Sequence, residues 1–121
     1  YIDIYMHSTT IGSGSDPTLR VGNANNTLSG WQFGGTPNAG LFTLTGSGLI
    51  YSNKDWFVNK EKRLRWIFRP STNTVDMWIN DLVIRQGDAP VSGWTGLPDR
   101  ITFNIPDDST YQIRKQKIWT N

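Results

Sequence analysis

Cysteine is absent from the 121 residues, which removes disulfides and thiolate metal sites. A chain of this length buries enough core to do without covalent staples, so the absence assigns no redox compartment. Glutamate occurs once, at Glu61, and histidine once, at His7. A glycosidase of the usual kind needs two carboxyl groups flanking the bond. Glu61 stands alone in a lysine-rich connector, and no Glu-x-Asp-x-x-Glu pattern occurs. His7 has no Ser/Asp signature beside it, so a nucleophilic triad has no support. No apolar run nears the roughly 20 residues of a membrane helix, and no signal-peptide pattern is present. An excess of one charge is missing too. With 12 basic and 10 acidic side chains the net charge is +2, which makes no case for nucleic acid or membrane insertion despite a pI near 9.1. Strong helix formers are few and never fall in a helical period.

What is present points to strands. The chain holds 12 Gly, 6 Pro and 6 Trp, with many Ser, Thr and Asn, the composition of short strands joined by tight turns. Residues 1–121 read as one domain. They open on a strand at Tyr1 and close just after Trp119, as in a mature product or a domain excised from a longer chain. In the first strand Ile2, Ile4 and Met6 share one face, and Tyr1, Asp3, Tyr5 and His7 share the other, read as a solvated face with a sugar-facing polar surface as the lesser alternative. Residues 8–17 read as a polar loop, Thr18 to Val21 as a strand, and Asn23 to Gly30 as a turn-rich link. Trp31 to Phe33, Leu41 to Thr45 and Leu49 to Ser52 are further short strands. A connector over 53–62 holds Trp56.

Residues 63–85 are the most legible. Leu64, Trp66 and Phe68 alternate with Arg63, Arg65, Ile67 and Arg69, and Val75, Met77 and Ile79 alternate with Asp76, Trp78 and Asn80. A four-residue loop, Pro70 to Asn73, suits a type I turn with proline at its second position. It pairs Phe68 with Val75, Trp66 with Met77 and Leu64 with Ile79. A one-residue slip would set Arg65 and Arg69 against Ile79 and Val75, so the hydrophobic pattern selects the register. Asn80-Asp81 then makes a two-residue turn, since both tolerate positive φ. The expected continuation pairs Met77 with Ile84 and Asp76 with Arg85. This predicts a three-stranded meander with one apolar face and with Arg65, Trp78 and Val83 in one row on the other. After a loop carrying Trp94 between Gly93 and Gly96, Ile101 to Ile105 and Tyr111 to Trp119 are the last strands, the latter with a bulge near Lys115 to Lys117.

From Asp55-Trp56 through Arg63 to Phe68 and the hairpin Thr74-Val-Asp-Met-Trp-Ile-Asn-Asp-Leu-Val, then Ile101 to Ile105, Tyr111 to Arg114 and Lys117 to Trp119, the pattern resembles the concanavalin A-like lectin/glucanase (laminin-G-like) superfamily. The resemblance covers roughly residues 55–119. Asp81 stands where that family usually has glycine. It implies an all-β, two-sheet antiparallel β-sandwich, a jelly roll with a concave face. Many such modules bind glycans in secreted proteins or in phage tail fibres and tailspikes, which places the expectation outside the cell or on a virion surface.

The expected ligand site centres on Trp78 and Arg65, a guanidinium beside an indole that offers a stacking plate to a sugar. Asp76, Asn80 and Arg85 would edge it with hydrogen-bonding groups, and Trp94 is a second, loop-borne candidate. Trp66 belongs to the core. Trp31, Trp56 and Trp119 stay open. No catalytic residue and no metal ligand is expected, and no cofactor. Asp16, Asp88, Asp99, Asp107 and Asp108 lie in loops that leave room for a structural calcium without diagnostic spacing. A lyase using Tyr5 and His7 is the weaker enzymatic alternative.

These residues favour a non-catalytic carbohydrate-binding or attachment domain. Its partner would be a glycan or cell-surface polysaccharide. Single shallow sites gain avidity from several copies, so a homo-oligomer is expected, a trimer in a fibre tip. The alternatives are a structural or oligomerising module without a sugar site and a polysaccharide-degrading enzyme.

Overall fold

The structure is a computed structural model that describes residues 1–10, 18–23, 27–34, 40–53, 61–91, 96–105 and 110–120. The described residues form ten strands in order: β1 Ile2–Thr10, β2 Thr18–Gly22, β3 Thr27–Gly34, β4 Gly40–Thr45, β5 Gly48–Asn53, β6 Lys62–Arg69, β7 Thr74–Ile79, β8 Leu82–Asp88, β9 Arg100–Asn104 and β10 Thr110–Ile118. There is no α-helix among the described residues. The strands form two five-stranded sheets, β10-β1-β6-β7-β8 and β5-β4-β3-β2-β9, and every pairing is antiparallel. The expected all-β class and its two antiparallel sheets are thus present.

Strand alternation builds one core from both sheets. Ile2, Ile4 and Met6 of β1, Leu64 and Trp66 of β6, and Val75, Met77 and Ile79 of β7 are buried, together with Leu19, Val21 and Trp31 of the second sheet. Trp31 and Trp66 meet edge to face across the layers, 6.0 Å between centroids. Ser29 Oγ accepts the Trp66 indole N–H at 3.2 Å and reaches the Leu44 carbonyl at 3.0 Å, joining the two sheets inside the core. At one margin the β4–β5 turn abuts the chain after β8, where Gly46 donates its N–H to the Ala89 carbonyl at 2.7 Å.

The β6–β7 register is the one the hydrophobic pattern selects, with Leu64 opposite Ile79, Trp66 opposite Met77 and Phe68 opposite Val75. Trp66 is fully buried. Both connecting loops use asparagine for their positive φ, Asn73 at 51° and Asn80 at 52°. Asp81 does not share the positive φ, so only the first centre of that turn is left-handed.

Four expectations change. Ser8 to Thr10 continue β1, and Thr27 to Gly30 belong to β3, because hydroxylated and small residues complete ladders whose ends are set by their neighbours. Irregularities between Val75 and Trp78 put Arg85, rather than Ile84, opposite Met77. In β10 the register shift falls opposite the Tyr5–Met6 step and leaves Arg114 out of the pairing, one residue before the expected stretch.

Candidate functional site

The side of the first sheet turned away from the core carries the polar and aromatic side chains. One row runs Lys117, Asp3, Arg65, Trp78, Val83 across all five strands. A second holds Lys115, Tyr5 and Arg63. At the end of β1 and β10, Tyr1 and Trp119 exchange backbone hydrogen bonds of 2.9 and 3.0 Å. Their rings stack at 5.0 Å and 18°.

Within this frame Arg65 and Trp78 stand directly opposite each other, as expected. The Arg65 guanidinium forks onto Asp3, Nε to Oδ1 at 2.6 Å and Nη2 to Oδ2 at 2.8 Å, and lies 5.3 Å from the centre of the Trp119 ring. Asp3 is 2 % exposed, so the face carrying Tyr1, Asp3 and Tyr5 is not simply solvated. A buried carboxylate in the neighbouring strand outcompetes an indole for a guanidinium, since the fork matches carboxylate geometry. The Asp3 hydrogen bonds hold the Arg65 pKa above its ordinary value, outweighing the desolvation that opposes them.

The expected edge residues scatter. Asp76 is 2 % exposed; it takes an ion pair from Arg69 at 2.7 Å and the Gly87 N–H at 2.7 Å. It therefore ties β7 to both neighbours. Arg85 was expected on the outer face opposite Asp76. The bulge turns it to the seam between the sheets instead, where it donates to Thr45 Oγ1 at 2.8 Å and pairs with Asp88. Asn80 closes the β7–β8 turn against β6, accepting the Arg63 N–H at 3.0 Å and donating its own N–H to the Arg63 carbonyl at 2.8 Å. Trp78 is half-buried, with its indole nitrogen shielded and without a hydrogen-bond partner. Trp94, Trp56 and the loop aspartates Asp16, Asp107 and Asp108 lie outside the described residues. Asp88 ends β8 and accepts the Thr45 hydroxyl at 2.8 Å. Among the described residues no group of three His, Cys, Asp or Glu side chains could hold a metal ion.

Single-sequence reading offers the Tyr1, Asp3, Tyr5 face as the lesser sugar-facing alternative but does not place β10 beside it. Lys117 Nζ lies 4.8 Å from the centre of the Trp119 ring, and Lys115 Nζ lies 5.6 Å from that of Tyr5. Both lysines are exposed. Next to Tyr1 opens a cleft of about 330 Å³, bordered by Ile67, Arg69, Ser71, Leu97 and Thr120, within the size range of small-ligand sites. The available signal was the alternation Tyr1, Asp3, Tyr5. Its partner strand is the last one in the chain, and a pairing that distant has no local mark. No family model, curated protein or solved structure matches the chain.

Chemically, the face offers aromatic rings, hydroxyls and cations within one shallow surface. The charged groups near Trp78 are already committed to carboxylates, whereas Lys115 and Lys117 have no ion-pair partner among the described residues. A second hollow, of about 250 Å³, has Asp99 and Arg100 in its wall beside Ile2, Ile101 and Ile118.

Proposed function

We propose that the chain is a non-catalytic carbohydrate-binding or attachment domain of a concanavalin A-like jelly roll, working outside the cell or on a virion surface such as a phage tail fibre. The observation that carries it is the outer face of the first sheet, where Tyr1, Tyr5, Trp78 and Trp119 lie among Arg65, Lys115 and Lys117. A sugar presents hydroxyls and an apolar C–H face, so it is held by aromatic plates edged with hydrogen-bonding groups. The two five-stranded antiparallel sheets and the β6-β7-β8 meander support the jelly-roll reading. Shallow single sites favour several copies, a trimer in a fibre tip.

The test is retention of the folded domain on a glycan array, for the parent and for Trp78→Ala and Trp119→Ala. Binding by the parent and its loss in either variant is the expected result. A parent that retains no glycan overturns the reading in favour of a structural or oligomerising module, and its mass at dilution then reports the assembly. Depolymerisation of a bound polysaccharide would overturn the non-enzymatic part.

A further inference from the structure

We infer that the ligand is an acidic glycan, one bearing carboxylate or sulfate groups, held along β10 by Lys115 and Lys117 with the Tyr1 cleft at the end of its track. The inference rests on the glycan reading above and specifies its ligand class. Its first ground is the distribution of charge. β10 carries Arg114, Lys115 and Lys117 and no acidic residue, a charge of +3. The whole chain stands at +2, so everything outside this one strand is net −1.

The second ground is how the cations are used. Arg63 pairs with Asp81, Arg65 with Asp3, Arg69 with Asp76, Arg85 with Asp88 and Arg114 with Glu61. Lys115 and Lys117 rest on the rings of Tyr5 and Trp119 instead. A ring face orients an ammonium without neutralising it, so both keep a full charge for an incoming anion. They sit two residues apart on one face, about 7 Å along the strand, and Trp119 lies a further two residues on. The track from Lys115 to the Tyr1–Trp119 pair is therefore about 13 Å. One sugar ring fits the cleft of about 330 Å³ beside Tyr1, with Arg69 and the Ser71 and Thr120 hydroxyls at its rim. Acidic groups of the following units then meet the two ammonium groups.

The same geometry disfavours one other occupant. A second copy adding its own β10 to this edge would bring +3 against +3, and lysines on an edge strand oppose such pairing.

The experiment measures binding of the parent domain to dextran, dextran sulfate, polygalacturonate and a single-stranded DNA 20-mer, alongside an array of neutral and acidic glycans. The expected result is preference for acidic members, weakening as salt rises. Changing both Lys115 and Lys117 to Gln should weaken it about tenfold, while changing both to Arg restores it. Far-UV circular dichroism confirms that each variant is folded. Dextran sulfate against polygalacturonate tells sulfate from carboxylate as the source of the anion. If retention is confined to neutral glycans, the inference fails and the glycan reading stands. If no glycan is retained, both fail. DNA bound as tightly as the best acidic glycan, or full binding by the Lys→Gln double variant, overturns the inference alone.

Discussion

Replacing Ser29 by alanine removes two hydrogen bonds at the centre of the molecule, and a Trp66→Phe background separates them. Ser29 is fully buried in β3, and its hydroxyl is the acceptor for the Trp66 indole N–H. The oxygen lies 3.0 Å from the Leu44 carbonyl and 3.2 Å from Met77 Sδ. It has one proton to give, and the carbonyl is the stronger acceptor, so the sulfur is a packing neighbour. Ser29→Ala removes the acceptor and strands an N–H in the core, at a cost of about 1–3 kcal/mol. Unfolding entropy of about 2.1 cal/mol/K per residue gives roughly 0.25 kcal/mol/K for a chain this long. The melting temperature should therefore fall by roughly 4–12 °C. Thermal and urea unfolding should agree. In a Trp66→Phe background there is no N–H to strand, so the same serine change should cost well under half as much. Equal losses in both backgrounds, or a melting temperature within about 2 °C of the parent, would refute the assigned bond.

Arg65→Ala should destabilise more than Asp3→Ala. The first leaves a carboxylate that is 2 % exposed without its partner, a loss of about 3–5 kcal/mol. The second leaves a guanidinium with 24 % exposure that can reach water. Urea midpoints in the reverse order would sink this assignment. Gly46→Ala places a methyl 2.6 Å from the Pro90 carbonyl oxygen and 2.8 Å from that of Ala89. It should lower stability by about 1–3 kcal/mol, read by calorimetry. Asn73, at φ 51°, should accept glycine with little change but lose about 1–2 kcal/mol as valine, measured as a shift in melting temperature.

The parts of the fold legible in the sequence are those with local periodicity. Leu64 to Ile79 could be registered because any slip puts arginine into the core, and the Ile2, Ile4, Met6 stripe needed only alternation. Thr27 to Gly30 was missed because Ser29 and Gly30 carry no apolar pattern, yet they pair with Val21 and Arg20 of β2. There the neighbouring strand makes the strand. The site was harder for the same reason. Trp78 and Arg65 could be placed side by side from one hairpin, but Asp3 is 62 positions from Arg65. No hairpin reasoning reaches that pairing. Bulges are equally silent: two irregularities in β7–β8 were enough to send Arg85 from the expected outer face to the seam between the sheets.

A sequence search for a polar binding edge naturally settles on arginine, and here arginine is what the fold consumes. Its rigid fork suits a partly buried carboxylate. Asp3 and Asp76 could not be buried in the first sheet without Arg65 and Arg69 to compensate them. Lysine is a flexible, strongly hydrated point charge that gains little from such positions. Lys115 and Lys117 stay outside, on β10, each with its ammonium over an aromatic ring. The division shifts the candidate surface by two to three strands, from β7 to the β1–β10 edge. It also sets which substitutions should separate stability from binding. Changes at Arg65 and Arg69 should unfold the domain before they report on any ligand. Changes at Lys115 and Lys117 should leave its unfolding midpoint within about 0.5 kcal/mol of the parent, as exposed side chains do. Any effect they have on retention can then be read as recognition.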